Sequence, residues 1–140
     1  MEPQKTLCVA GASGLVGSNI VRAALARGYK VNGTMRDKDA GQKTSYLKAL
    51  PGGERLELFN ANMISELSFK EPLQDADCVF ITCLIPTYKG PDGTLAREMD
   101  DEQGYADIIM PTVDGCINIL RAAHCQGLRN AVICSSTSST

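Results

Sequence analysis

Short apolar runs alternate along the chain with stretches whose apolar residues recur at helical spacing. The runs Thr6 to Ala10, Lys30 to Met35, Leu56 to Phe59, Cys78 to Cys83 and Asn130 to Cys134 are brief and in several cases β-branched. Each is bounded by Gly, Pro, Asp or Asn, which is how strands read in sequence. Between the first two, Ile20, Val21, Ala24 and Leu25 recur at helical spacing, and Gly28 stands where a glycine would end that helix. Between the fourth and fifth, Ile108, Ile109, Val113, Cys116, Ile117 and Leu120 form a long apolar stripe that stops near Gly127. Pro111 falls inside it and predicts either a kink or a first helical turn. Strands apolar on both faces and joined by helices predict a parallel sheet covered on both sides, with right-handed crossovers. The expected class is α/β, a doubly wound sheet occupying residues 1–140 as one domain, with Thr87 to Gly93 as a surface loop.

Composition narrows what such a domain does. With 44% hydrophobic and 21% charged residues and a net charge of -2, the chain has the balance of a soluble domain. Its Lys and Arg are scattered among Asp and Glu, which excludes the basic stripe of a nucleic-acid binder. The N-terminal apolar run is too short for a signal-peptide core or a membrane span, so a cytoplasmic protein without a membrane partner is expected. The six cysteines form no Cys-x-x-Cys pair, so neither zinc nor redox exchange is suggested; they read as reduced core residues.

The loop between the first strand and the first helix carries the chemistry. It runs Gly11-Ala12-Ser13-Gly14-Leu15-Val16-Gly17, a Gly-x-x-Gly-x-x-Gly pattern placed where a Rossmann-type dinucleotide site needs it. Gly11 permits the tight turn, Gly14 lets the backbone approach a pyrophosphate, and Gly17 lets the helix pack close to the sheet. Free N–H groups at the helix start, with its dipole, then bind the phosphates. At the tip of the second strand an acidic residue would suit the ribose of NAD and an arginine the 2′-phosphate of NADP. Arg36 stands there, so NADP is the expected cofactor. Asp37 follows it and keeps NAD open.

The stretch Gly11 to Asp37, then Glu66-Leu67-Ser68-Phe69, Asp77-Cys78-Val79-Phe80, Pro111-Thr112-Val113-Asp114-Gly115 and Ser135-Ser136, resembles the N-terminal half of the extended short-chain dehydrogenase/reductases. Within them the chain is most similar to the plant-type dihydroflavonol, anthocyanidin and cinnamoyl-CoA reductases. The resemblance implies NADPH-dependent hydride transfer to a carbonyl or related centre of a small molecule. It also implies a Ser-Tyr-Lys set in which lysine lowers the tyrosine pKa, tyrosine is the general acid and serine binds the substrate oxygen. Ser136 matches the family serine, with Ser135 its nearest rival. The tyrosine and lysine have no counterpart, since none of Tyr29, Tyr46, Tyr88 and Tyr105 is followed four places on by lysine.

Other positions depart from the family. Where an aspartate usually contacts adenine after the third strand, this chain has Asn62 followed by Met63. The His-x-Ala after the fourth strand becomes Ile81-Thr82-Cys83, which places Thr82 and Cys83 by the nicotinamide ribose. Lys38 and Lys43 are both available as a second basic residue beside Arg36. His124 reads as a helix-end residue, and the cluster Glu98, Asp100, Asp101 and Glu102 as a helix start. The expectation is therefore the cofactor-binding portion of a reductase, truncated after about the fifth strand and inactive by itself. A non-catalytic dinucleotide-binding subunit, whose open edge packs against a protein partner, is the alternative.

Overall fold

The computed structural model describes residues 4–83 and 87–135. Five strands, β1 (Thr6–Ala10), β2 (Lys30–Met35), β3 (Leu56–Asn60), β4 (Cys78–Ile81) and β5 (Asn130–Ile133), form one sheet in the order β3-β2-β1-β4-β5. All four pairings are parallel. The expected strands are thus present, with ends shifted by two residues at most.

β1 is central, and Cys8, Val9 and Ala10 are fully buried. Because side chains alternate across a strand, β1 feeds two cores. Val9 joins Val31, Leu56 and Leu58 beneath α1 (Leu15–Ala26) and α2 (Gly41–Lys48). Cys8 and Ala10 join Val79, Ile81, Phe69 and Leu73 on the other face. That second face is covered by α3 (Lys70–Leu73) and by α5 (Met110–Cys125), which follows the short α4 (Asp101–Gly104). α1 presents Gly17, Val21, Ala24 and Leu25 to the sheet. It ends at Gly28, whose φ of 85° lets Gly28 N–H and Tyr29 N–H reach back to the carbonyls of Leu25 and Ala24 at 3.0 and 3.1 Å.

Three features differ from the sequence reading. α5 buries only part of the stripe that predicted it: Cys116 and Leu120 pack half-buried against the core beside Gly115, Ile119, Ala122 and Ala123, while Ile109, Val113 and Ile117 are exposed. Small residues let the helix axis come close, and a Cβ on Gly115 would stand 2.4 Å from Met63 Cε. A π-helical turn at Tyr105–Ile109, which the sequence did not indicate, precedes α5, and Pro111 lies in the first turn, one of the two places the sequence allowed it, where it needs no donor. β5 is exposed along its whole length, with Val132 and Ile133 about half accessible, so the described residues do not cover it as a two-sided sheet would require. Among those residues no helix is long and apolar enough to cross a membrane.

The cysteines also divide differently. All six are free thiols, but only Cys8 is buried; Cys78, Cys83, Cys116 and Cys134 are half-buried and Cys125 is exposed at the end of α5. An apolar run sets a residue near a core without deciding which face it takes.

Candidate dinucleotide site

The order β3-β2-β1-β4-β5 makes the chain leave β1 toward one side of the sheet and return toward the other. The crevice at the carboxyl ends of β1 and β4 is therefore a topological switch point, where open α/β sheets bind ligands. A cleft of about 320 Å³ opens there, lined from the glycine loop through Arg36 and Lys43 to Asn62 and Met63, with Thr82 and Cys83 on the β4 side.

The glycine loop is held from both sides. Gly11 has a φ of 87°, and a Cβ there would lie 2.8 Å from the Cys83 nitrogen. Its N–H donates to Thr34 Oγ1 at 3.3 Å, and Ala12 N–H donates to the Thr34 carbonyl at 2.9 Å. From the other side Thr82 Oγ1 donates to the Ala10 carbonyl at 2.7 Å. The hydroxyl proton of Thr82 is thereby committed to the loop, so Thr82 lines the cleft chiefly as its brace.

The three glycines have separate jobs. A Cβ on Gly17 would sit 1.9 Å from the Gly11 carbonyl oxygen, whereas one on Gly14 would meet only that oxygen, at 3.6 Å. Gly17 allows α1 to touch β1, and Gly14 keeps the cleft open. Gly14 is also the N-cap of α1; no side chain caps that start and no acidic residue stands in the first turn. The first N–H groups of a helix have no partner within it, so Leu15, Val16 and Gly17 offer donors and a positive dipole end to an anion. Leu15 and Val16 contribute only backbone, since their side chains are exposed outside the cleft lining. Ala12 is fully buried against the sheet and touches no ligand space.

Arg36 lies at the tip of β2 and lines the cleft, as the sequence indicates, but it is accompanied by Lys43 from the first turn of α2. That helix is tied to the preceding turn by Thr44 Oγ1, which donates to the Lys38 carbonyl at 2.5 Å. Asp37 does not line the cleft, and its Oδ1 accepts from Asp39 N–H at 3.0 Å. No carboxylate lies among the described residues that line the cleft. Two cations with no competing anion suit a phosphate.

Beyond β3, Asn62 and Met63 both border the cleft. Ser68 Oγ bridges the Asn62 main chain, accepting from its N–H and donating to its carbonyl, each at 3.0 Å. Met63 is buried, and its carbonyl accepts from Asn118 Nδ2 at 2.9 Å. On the opposite wall burial pushes the Cys83 thiol up to about 11, against a small opposing pull from Arg36. At neutral pH it is a protonated, unreactive lining group. Thr34, Met35, Ala61 and Phe69 complete the lining; none of them had a site role in the sequence reading, because each is brought to the cleft by the fold.

Ser136 falls outside the described residues. The acidic cluster is a helix start, with Asp100 Oδ1 accepting from Gln103 N–H at 2.8 Å. His124 is exposed in the last turn of α5, away from the cleft.

Comparison with known proteins agrees with this geometry. A family model described as NAD(P)H-binding matches residues 11–140. Cinnamoyl-CoA reductase CAD2 of Medicago truncatula is 37% identical over 132 residues, covering 93% of this chain and 37% of that protein. An anthocyanidin reductase of Vitis vinifera is 33% identical over 134 residues, covering 95% and 36%. The crystal structure of vestitone reductase from alfalfa superposes with a TM-score of 0.71 at 30% identity, over 96% of this chain and 37% of that one. The chain thus spans little more than a third of the length of the relatives it matches. It belongs to the NAD(P)H-binding family and resembles, over nearly all of its residues, the plant-type reductases among the extended short-chain dehydrogenase/reductases.

Proposed function

We propose that the chain is the NADP(H)-binding portion of a reductase that acts on a carbonyl of a small molecule. The observation that carries this reading is the pairing of Arg36 with Lys43 at the tip of β2, with Asp37 turned to its own backbone. A 2′-phosphate there would meet a guanidinium able to bind it in bidentate fashion and an ammonium beside it. A ribose 2′-hydroxyl would find no carboxylate acceptor. The pyrophosphate is assigned to the α1 start and Gly14. A reduced nicotinamide supplies a hydride when bound. The adjoining wall of Thr82 and Cys83 supplies no activated acid, because Thr82 Oγ1 is committed to Ala10 and burial makes the Cys83 thiol a weaker acid than a free one. Proton transfer is accordingly assigned to the Ser-Tyr-Lys set that the resemblance implies. Ser136 is its one matching member.

Titrating NADPH and NADH by calorimetry tests the cofactor assignment. Wild type is expected to bind NADPH at least tenfold tighter; Arg36→Ala and Lys43→Ala are each expected to weaken NADPH by about tenfold or more and leave NADH nearly unchanged, since charged hydrogen bonds contribute about 1.5–3 kcal/mol. Equal affinity of wild type for the two cofactors would remove the role given to Arg36 and Lys43.

A second reading, a dinucleotide-binding subunit without catalysis, is favoured by the exposed β5 with Val132 and Ile133, an apolar edge that a protein partner would cover. Turnover of NADPH with an aldehyde or ketone by the soluble monomer would exclude it.

A further inference from the structure

The exposed part of the α5 stripe is used neither by the core nor by the cleft. Ile117 lies opposite the buried face of Gly115, Ile119, Ala122 and Ala123, and Val113 stands one turn before it; they are 37% and 44% exposed. One turn further on, the same face becomes a groove of about 350 Å³ walled by Ile117, Leu120, Arg121, His124, Cys125 and Glu66. Ile64, 72% exposed, borders Ile117 from the other flank and widens the apolar patch. A surface helix ordinarily turns its polar side outward, and contiguous apolar surface marks an interaction site.

Charge identifies the partner. Asp114 and Arg121 flank Ile117, three residues before it and four after, and both are exposed. Neither makes a hydrogen bond or an ion pair among the described residues. Two copies of α5 laid antiparallel, about a two-fold axis between Ile117 and Asn118, bring Asp114 of each copy level with Arg121 of the other, on the same flank of both helices. In that register Val113 of each copy comes level with the groove of the other, between Leu120 and His124. Projection, groove and both charges of the pair thus occupy one surface, which a self-complementary contact requires and a foreign partner does not.

We infer that the outer face of α5 is a homodimer interface, with Ile117 at the two-fold axis, Val113 seated in the groove of the second copy, and Asp114 paired with Arg121 across the axis on both sides. The 16 residues of α5 give a contact about 24 Å long. That is the small end of specific interfaces, so the dimer is reversible, with a dissociation constant on the order of 10 µM. Asp114, Ile117 and Arg121 do not line the dinucleotide cleft, so the dimer stands or falls apart from the cofactor reading.

Sedimentation equilibrium of the full chain from about 1 to 300 µM brackets that constant. Wild type is expected to pass from monomer to dimer and to stop there. Asp114→Arg and Arg121→Asp each turn two attractions into two repulsions, and each is expected to raise the dissociation constant about tenfold. The double variant Asp114→Arg/Arg121→Asp restores opposite charges across the axis and is expected to return to within about threefold of wild type. Ile117→Ser, which leaves every charge in place, is expected to weaken the dimer about tenfold by removing the apolar contact at the axis. Circular dichroism checks that each variant is folded, as substitution at exposed positions leads one to expect. A wild-type monomer throughout the range, a mass that grows past the dimer, a double variant no tighter than the single ones, or an unaltered constant in Ile117→Ser would overturn the proposal.

Discussion

Replacing Gly17 with alanine tests the closest contact in the site. The new Cβ would stand 1.9 Å from the Gly11 carbonyl oxygen, 2.8 Å from its carbon and 2.9 Å from Thr82 Oγ1. Non-bonded heavy atoms settle at about 3.5 Å or more, so α1 and β1 must separate by more than an ångström. The loop cannot yield on its own. Gly11 is pinned by Thr34 on one side and backs onto Cys83 on the other. Overpacking of this kind costs about 1–3 kcal/mol and sometimes more, against about 1 kcal/mol gained because alanine is the better helix former. With backbone as the clashing partner the cost belongs at the upper end, for a net loss of about 2 kcal/mol. In a chain of this size that is a fall of roughly 8 °C in melting temperature, read by thermal unfolding followed by circular dichroism. Gly28→Ala is the control, since its φ is 85° and its Cβ would meet nothing within 4 Å; it should lose only the left-handed strain of about 1 kcal/mol. A Gly17→Ala protein melting within 2 °C of wild type (roughly half a kcal/mol on the same scale), or less damaged than Gly28→Ala, would refute the reasoning.

Gly14→Ala should do the reverse of Gly17→Ala: its Cβ has room in the fold, so melting stays near wild type while calorimetric NADPH affinity falls at least tenfold, and unchanged affinity would remove Gly14 from the phosphate contact. Asn32 is buried in β2 with Nδ2 donating to the Pro72 carbonyl at 3.0 Å, and no described residue donates to its Oδ1. Asn32→Leu relieves one buried unpaired acceptor but leaves the Pro72 carbonyl without its donor, two effects of about 1–3 kcal/mol each that oppose one another; urea unfolding should show it within about 1 kcal/mol of wild type, and a loss above about 2 kcal/mol would mean that Oδ1 is satisfied after all. Burial pushes the Cys8 thiol from 9.0 up to about 12, so above pH 9 the unfolded chain releases a proton that the folded one retains. Stability is therefore full below pH 9 and declines between pH 9 and 12; Cys8→Ala should flatten that decline in urea titrations across the range, and an unaltered slope would contradict it.

The inner strands were legible because burial on two faces leaves mostly apolar residues for short runs that end at turn formers, and β5 carries the same pattern although the described residues leave it exposed. α2 was not legible, for a matching reason. Leu47 is its one buried side chain, so its sequence carries no apolar period. This omission propagated into the site. Lys43 stands in the first turn of α2, and without that helix its register relative to Arg36 could not be drawn from spacing alone. In α5 the stripe marked only one edge of the buried face, because beside Ile119 the contact with the sheet is made by Gly115, Ala122 and Ala123, residues too small to mark a stripe.

Within the cleft, legibility follows how far a role depends on backbone. The glycine spacing is a geometric requirement on the main chain, and Gly11, Gly14 and Gly17 each occupy the place their spacing assigned. Ala12 lies in the same motif yet turns inward, since a residue between two constrained glycines takes whatever direction the turn leaves it. Side-chain roles depended on partners distant in sequence. Thr82 became a brace because the Ala10 carbonyl lies 2.7 Å away, and the Asn62 amide is oriented because Ile64 N–H donates to its Oδ1 at 3.2 Å. An asparagine read from sequence can donate or accept. The turn that follows it fixes which end of the amide is oxygen and leaves both an N–H and a lone pair to offer, so the orientation of the polar groups in the cleft belongs to the fold and their kinds to the residue type.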